Sequence, residues 1–258
     1  LTSVRVRGNT SIMGGNNPLV IIDGISSDLV TLSTIYPSDI EKFEVLKNAS
    51  ETAQFGSRGA AGVIIVTTKK GRDGKFQISY DGNWGWESVY KNLEMLSASD
   101  YIKTAQQLGV HYFNGGNNVD YTALPIRIGT INNHHISFSG GTKESNYRAS
   151  VAYTGRETVI RQIGYNNYVA KLDLTQLAFD NYLTIDFGIF GSSQSNRNIA
   201  DPQALFYAAA TQNPTLPSSW NGKGWAINPT ANQIAPPQAR LLVKDEVFNQ
   251  NLNSHISL

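Results

Sequence analysis

The stretch from Ile40 to Gly71 decides how the first part of this chain folds, and it reads IEKFEVLKNASETAQFGSRGAAGVIIVTTKKG. Its residue pattern predicts a short acidic helix start, a strand over Phe43–Leu46 and a helix of small residues over Ser50–Phe55. A glycine-rich turn and a second strand over Val63–Thr68 follow, and two lysines end the pattern. A helix placed between two strands predicts a small α+β domain.

Two features upstream of this stretch extend the domain. The apolar run Leu19–Ile22 is closed by Asp23-Gly24, which predicts a strand that enters a tight turn. Ser38 or Asp39 follows a proline and is expected to cap a helix, with Glu41 in the first turn of that helix.

Downstream of Gly71 the chain alternates between apolar and polar residues. Each alternating segment predicts a strand with one apolar and one hydrophilic face. The segments are Phe76–Trp86, His134–Ser139, Asn146–Thr154, Tyr165–Leu174, Tyr182–Ser192 and Phe248–Leu258. Helical spacing over Ser97–Gly109, and from Asp201 or Pro202 to Thr211, predicts two helices between the strands.

Alternation alone is typical of two architectures, a soluble β-sandwich and a transmembrane β-barrel. The segments here reach about ten residues, the length of membrane-spanning strands and longer than the common five or six. Tyrosine and tryptophan cluster near their ends, as the aromatic girdles of a barrel require. The short Asp180-Asn181 turn also contrasts with the long loop Asn213–Pro237, an asymmetry typical of outer-membrane barrels.

Composition excludes several classes of function. The net charge of +1 offers no field that would attract nucleic acid. The absence of cysteine excludes disulfides, thiolate metal sites and cysteine nucleophiles. Because no run of about 18 apolar residues occurs, a transmembrane helix is excluded as well.

Six short motifs follow one another in the first part of the chain. They are Val6–Gly8, Asn17–Gly24, Pro37–Glu41, Glu44–Ala49, Phe55–Ile64 and Thr67–Gly71. In this order and spacing they resemble the plug domain of TonB-dependent outer-membrane transporters, and most of all the SusC/RagA-like family. Asn48 stands where the family usually has Asp, and Phe55 where it often has Tyr, which are mild departures. Downstream, Ser137–Thr142 followed by Asn146–Tyr153 resembles the first barrel hairpin of the same family.

The resemblance implies an α+β plug domain followed by antiparallel strands of a transmembrane β-barrel. Residues 1–75 are then the second half of the plug, and 76–258 are the N-terminal strands and loops of the barrel. A plugged transporter barrel has about 22 strands, which six strands cannot close. We therefore expect the chain, which opens in mid-pattern at Leu1, to be a piece of a longer protein.

The resemblance also implies TonB-dependent import of a nutrient, an oligosaccharide or a peptide, across the outer membrane of a Gram-negative bacterium. Expected partners are a SusD-like surface lipoprotein, outer-membrane lipid, and TonB, which would contact a segment before Leu1. No enzyme activity, cofactor, metal or nucleic acid is expected. The alternative is a soluble, secreted, β-rich module that binds glycans.

The resemblance assigns a structural or gating role to a set of plug residues, namely Arg7, Gly8, Asp23, Gly24, Arg58, Gly59 and Gly62. Of these, Arg7, Asp23 and Arg58 are expected to form a polar network, with Arg58 paired to a carboxylate. The glycine-rich loop could also suggest a phosphate cradle, but it lacks the Lys-Ser/Thr of a P-loop. Its glycines are better explained by a tight turn.

Two further groups of side chains suggest binding. His134 and His135 are adjacent on a predicted strand and so point to opposite faces, which favours a lining or rim role over a shared metal ion. Trp220 and Trp225 lie in the long loop, where they could contact a ligand or pack locally. No motif for a catalytic nucleophile is present.

Overall fold

A computed structural model describes residues 4–6, 16–180, 182–229 and 233–258 of the chain. The first part contains a four-stranded sheet with short helices. Its elements are β1 (Leu19–Ile22), β2 (Ile25–Ser27), α1 (Leu29–Thr34), a 3-10 turn (Pro37–Asp39), β3 (Ile40–Leu46), α2 (Ala49–Thr52), a 3-10 segment (Ala53–Gly59) and β4 (Val63–Thr68). The strand order is β2-β1-β4-β3, and only β1 and β4 are parallel. The predicted α+β domain is thus confirmed.

The second part is a six-stranded antiparallel sheet in which strands adjacent in sequence are paired. Its elements are β5 (Gly74–Glu87), α3 (Ala98–Leu108), β6 (Gly129–Gly141), β7 (Ser145–Glu157), β8 (Gly164–Ala178), β9 (Leu183–Ile199), α4 (Pro202–Thr211), α5 (Pro237–Leu242) and β10 (Lys244–Ser257). The predicted strands and the two predicted helices are confirmed. In α3, the Ser97 hydroxyl accepts from the backbone N of Asp100 at 3.2 Å, and Gly109 ends the helix with φ 64°.

The two ends of the six-stranded sheet differ. At one end, residues 142–144 and 179–182 join consecutive strands, Asn181 lying outside the described residues. At the other end, residues 158–163 join β7 to β8, and the long segments 88–128 and 200–243 join β5 to β6 and β9 to β10. The short and long connections that the sequence predicted therefore lie at opposite ends of the sheet.

The six-stranded sheet exposes its apolar face and buries its polar face, an arrangement that we call inverted polarity. Its register places apolar residues of all six strands in one cross-strand row, which contains Tyr80, Ile136, Val151, Ala170, Gly191 and Leu252. This face is exposed, with Tyr80 at 62%, Val151 at 55% and Leu252 at 77%. The opposite face carries buried polar residues, among them His135, Ser150, Asn167, Lys171 and Asp173. A water-soluble sheet buries its apolar face and exposes its polar face to water. The six-stranded sheet shows the opposite arrangement, which suits an apolar medium outside its apolar face.

Two local predictions were wrong. The helix start at Ser38 and Asp39 is a single 3-10 turn, and β3 already begins at Ile40. Backbone pairing of β3 with β4 prevails there over the capping pattern. The helix of small residues ends at Thr52 and continues as a 3-10 segment, which Gly56 interrupts with φ 59° and ψ −147°.

No helix in the described part of the chain is long and apolar enough to cross a membrane.

Candidate functional site at the contact between the two sheets

The polar face of the six-stranded sheet packs against the four-stranded part of the chain. We call residues 16–71 the N-terminal unit and strands β5–β10 the wall. The apolar core of the unit contains Val20, Ile35, Ile64 and Val66, and Phe190 of the wall packs against it. Apart from this contact, the junction is largely polar, and two clusters of charged side chains dominate it.

The first cluster begins at the turn between β1 and β2. Asp23 and Gly24 both have positive φ, 49° and 86°, as the tightest hairpin turns require. This turn brings the Asp23 carboxylate to the end of β4. Its Oδ1 accepts from the Thr68 backbone N at 2.8 Å, and its Oδ2 accepts from the Thr68 hydroxyl at 2.6 Å. The carboxylate therefore fastens the hairpin to β4.

Lys171 of β8 joins this carboxylate to the wall. Its Nζ lies 2.6 Å from Asp173 Oδ2 and 3.5 Å from Asp23 Oδ2, and it donates to the Thr68 hydroxyl. The side chains of Lys171, Asp173 and Asp23 are only 8%, 5% and 8% exposed. One ammonium therefore serves two buried carboxylates, and its removal would leave both without a cation. These four residues form the Lys171 cluster.

The second cluster forms around Asp39, which ends the 3-10 turn and is 2% exposed. Its Oδ2 accepts from the Ser150 hydroxyl at 2.8 Å, and its Oδ1 accepts from Arg148 at 3.0 Å. His135 Nε2 lies 3.1 Å from the same Oδ1. All three partners belong to the wall, so one carboxylate of the N-terminal unit engages two neighbouring strands, β6 and β7. We call these four residues the Asp39 cluster.

The imidazole of His135 is held on three sides. The ring of Tyr36 stacks on it with centroids 4.7 Å apart and an interplanar angle of 3°. Burial raises the pKa of Tyr36 above its usual value, so the ring stays a neutral phenol at physiological pH. The Nδ1 atom of His135 lies 3.5 Å from Asp81 Oδ2 of β5, on the side of the ring opposite Asp39. His135 is therefore a buried spacer between two carboxylates, in keeping with the predicted lining role.

Weaker contacts extend the junction across the wall. Asn167 Nδ2 donates to the Thr34 carbonyl at 3.2 Å, and Asn251 Nδ2 donates to the Thr31 hydroxyl at 3.3 Å. Lys70 pairs with Asp186 at 3.3 Å. With the two clusters included, every strand from β6 to β10 contributes a polar contact to the N-terminal unit.

Two cavities lie at this junction among the described residues, and the larger one, of about 400 Å³, is lined by Lys69 and Lys70 of the N-terminal unit and by Ser139 and Arg148 of the wall, among others. The smaller cavity, of about 40 Å³, lies between β1–β2 and strands β8–β10, and Ile22, Thr31 and Phe190 are among the residues that line it. The smaller cavity has room only for water molecules.

The predicted plug residues lie in different parts of the structure. Asp23 and Gly24 form the turn of the Lys171 cluster, whereas Arg7 and Gly8 lie outside the described residues. Among the described residues Arg58 forms no ion pair, and residues 56–58 are all exposed. Its expected pairing with a carboxylate stays a prediction.

Gly59 and Gly62 are sites of close packing. A Cβ on Gly59 would lie 2.8 Å from the Thr52 carbonyl oxygen. A Cβ on Gly62, which has φ 100°, would lie 2.6 Å from Val6 Cγ1. Both positions therefore exclude larger residues for steric reasons, as the tight-turn explanation of the loop expects.

The long loop is more ordered than its composition suggests. Trp220 and Trp225 form an edge-to-face pair with centroids 4.7 Å apart, while Trp220 is still 55% exposed. Asn213 is 2% exposed and donates through Nδ2 to the Phe113 carbonyl at 2.8 Å. The long segments 88–128 and 200–243 therefore contact each other. The tryptophans thus pack locally, and their contact with a ligand stays a prediction.

Sequence reasoning missed most of the residues that hold the junction together. Lys171, Asp173 and Arg148 are visible as charges on the hydrophilic side of their predicted strands, which marks them as facing inward. The partners of Lys171 and Arg148 across the junction, Thr68 and Asp39, are about a hundred positions away in sequence, and no local pattern connects them. Asp39 was interpreted as a helix cap, although its carboxylate binds side chains of the wall.

Comparisons with known proteins agree on one family. Residues 1–63 match the family model of the TonB-dependent Receptor Plug Domain. The TonB-dependent receptor SusC of Bacteroides thetaiotaomicron is 30% identical over 96% of the chain. The TonB-dependent receptor P3 of Formosa agariphila is 37% identical over 61% of it. The chain spans 28% of the length of SusC and 15% of that of P3.

Solved structures show the same fold. The RagAB peptide transporter matches 98% of the chain, and 34% of its own chain, with a TM-score of 0.75 and 20% identity. The RagAB peptide importer in an open-open state matches 77% of the chain, and 26% of its own, with a TM-score of 0.67 and 23% identity. At these identities the likeness concerns the fold alone.

Proposed function

Because the chain belongs to the SusC/RagA-like family of TonB-dependent receptors, we propose that it forms part of an active nutrient importer in the bacterial outer membrane. In this proposal residues 1–75 are the second half of the plug, and 76–258 are the first strands and loops of the barrel. The substrate is an oligosaccharide or a peptide, the latter being what RagAB transports. The partners are a SusD-like surface lipoprotein and TonB, and no reaction is catalysed.

The observation that carries this proposal is the inverted polarity of the wall. Isoleucine, valine and leucine side chains on its outer face are exposed, and only a lipid surface would cover them without another protein layer. Histidine, lysine and aspartate on its inner face are buried against the N-terminal unit. A soluble glycan-binding module would show the opposite arrangement, which argues against that alternative.

An aromatic row on the outer face supports the same placement. It contains Tyr80, His134, Tyr153 and Tyr168, on four neighbouring strands. Ring centroids lie 6.2 Å apart for Tyr80 and His134, 6.5 Å for His134 and Tyr153, and 5.0 Å for Tyr153 and Tyr168. Rings of this kind favour the boundary between hydrocarbon and water, so the row marks one edge of the lipid-covered band.

The polar junction supplies the gate in this proposal. Charged contacts hold the plug in the wall at rest and are broken when TonB pulls on a more N-terminal segment. Polar contacts suit such a gate because water entering the opened junction can solvate the separated groups. An apolar interface of the same area would instead expose hydrocarbon to water at each opening.

The import proposal predicts uptake that depends on TonB. We expect cells with the full-length receptor to accumulate labelled oligosaccharides or peptides, and deletion of TonB to reduce accumulation to background. Binding at the cell surface should stay unchanged, since the outer loops are assembled without energy input. Full uptake without TonB would contradict the proposal. Recovery of the full-length protein in the soluble fraction, after lysis without detergent, would contradict its placement in the membrane.

A further inference from the structure

The outer face of the wall carries a cluster of arginines beyond its aromatic row. Glu157 ends β7, and its carboxylate binds Arg127 through Oε2 and Arg197 through Oε1. Gly164 lies between Glu157 and Arg197 in the strand register, and its missing side chain lets the two groups meet above it. Their side chains are 27% to 33% exposed, so the ion pairs are open to one side.

Arg161 adds a further positive charge beside this group. Ile126 and Ile160 form an isolated antiparallel bridge, and the backbone N of Arg127 donates to the Val159 carbonyl at 2.8 Å. Arg127 and Arg161 therefore project from the same side of this short ribbon as diagonal neighbours, about 7–8 Å apart at their backbones. Arg161 is exposed, and its Nε donates to the Leu124 carbonyl at 3.0 Å. Two guanidinium groups thus bind the Glu157 carboxylate, and a third projects from the same ribbon as Arg127.

The position of the cluster along the strand defines its surroundings. Glu157 and Tyr153 lie on the same face of β7, four residues apart. This spacing is about 13 Å along the strand, or about 10 Å along the membrane normal for a strand tilted by about 40°. The cluster therefore lies beyond the aromatic row, on the side of the long connecting segments. Lipid headgroups occupy that level when the row marks the edge of the hydrocarbon.

We propose that Arg127, Arg161 and Arg197 form a binding site for a phosphate-bearing headgroup of an outer-leaflet lipid. This inference rests on the proposed placement in the outer membrane. Guanidinium groups bind phosphate oxygens in pairs of parallel hydrogen bonds. The three arginines face two carboxylates, Glu157 and Glu246, the latter opposite Arg197 in the strand register, so one positive charge is left in excess. The net charge of the whole chain is only +1, so this local excess is not evident from the composition.

Glu157 has a defined role in this site. It holds Arg127 and Arg197 in place, and it also competes with phosphate for their hydrogen bonds. Arg127 is fixed by other acceptors too, since it donates to the carbonyls of Thr158 and Ile163, both at 3.0 Å. Removing the carboxylate charge should therefore leave the ribbon folded and make the arginines more available to a phosphate.

The test measures lipid retained by the purified full-length receptor. Wild-type receptor and variants are placed in phosphatidylcholine nanodiscs that contain a small fraction of phosphatidic acid, and bound lipid is counted by native mass spectrometry. A basic residue near an anionic headgroup is worth about fivefold in binding, so R161Q/R197Q should lower retained phosphatidic acid roughly 25-fold. E157Q should raise it severalfold. R156Q is the matched control, because Arg156 is adjacent in sequence but pairs with Glu87 on the inner face.

Equal retention by wild type, R161Q/R197Q and R156Q would overturn the site. So would a lower retention in E157Q, which would show that the arginines serve only to bind Glu157. Displacement of the lipid by millimolar inorganic phosphate would overturn the lipid assignment in favour of a free-anion site. Substrate uptake is measured in the same variants, so that a loss of lipid preference with intact uptake contradicts this site and leaves the import proposal standing.

Discussion

Replacing Lys171 with methionine is expected to release the plug from the wall. The methionine retains most of the side-chain volume but leaves Asp23 and Asp173 as two buried carboxylates without their shared cation. Breaking a buried charge pair in this way typically costs about 3–5 kcal/mol. The full-length receptor carrying K171M should therefore unfold its plug at a lower denaturant concentration, and cells that carry it should admit vancomycin, which an intact plugged barrel excludes.

Lys70→Met is the matched control for this experiment. Lys70 also pairs with a wall carboxylate, Asp186, but its side chain is 40% exposed. An ion pair that water screens to this degree contributes at most about 1 kcal/mol. Cells with K70M should thus stay resistant to vancomycin. Equal sensitivity of the two variants, or wild-type resistance of K171M, would refute the special role of the Lys171 cluster.

Replacing Asp39 with alanine should have an effect of similar size at the other cluster. Arg148 and Ser150 lose their common acceptor, His135 loses the carboxylate that lies 3.1 Å from its Nε2, and the Arg148 side chain is only 12% exposed. An uncompensated buried charge and an unpaired hydroxyl together cost about 3–5 kcal/mol. Asp39→Asn should recover part of this loss, because an amide oxygen still accepts from Ser150.

The measurement for Asp39 is the same denaturant titration of the full-length receptor. Glu41→Ala serves as its control, since the Glu41–Arg72 pair has an arginine side chain that is 79% exposed. That variant should change the free energy of unfolding by about 1 kcal/mol or less. If D39A were no more destabilising than E41A, the Asp39 contacts would be incidental to plug retention.

The sequence was sufficient to predict the architecture and which face of each strand is polar. Alternation with a period of two residues depends only on the local geometry of a strand, so Tyr168 and Lys171 could be assigned to opposite faces without a structure. The turn at Asp23-Gly24 was equally accessible, because few residue pairs adopt two successive positive φ angles. In both cases neighbouring residues alone determine the outcome.

The pairing across the junction could not be predicted in this way. Asp39 looks like a helix cap because an acidic residue after a proline commonly is one. Its actual partner Ser150 is 111 positions away and is brought near only when the plug docks against the wall. Arg58 forms no ion pair among the described residues, so its expected carboxylate partner stays a prediction. Long-range charge pairing depends on the docking geometry, which the local pattern does not contain.

The gating account rests on separation of the plug from the wall during import, and a reversible cross-link tests this directly. Thr31 and Asn251 contact each other across the junction through their side chains at 3.3 Å, outside both charged clusters. In the full-length receptor, T31C/N251C should bind substrate normally but lose uptake when the two thiols are oxidised to a disulfide. Reduction should restore uptake, and neither single cysteine variant should respond to the oxidant. Undiminished uptake by receptor that is fully cross-linked would contradict the account.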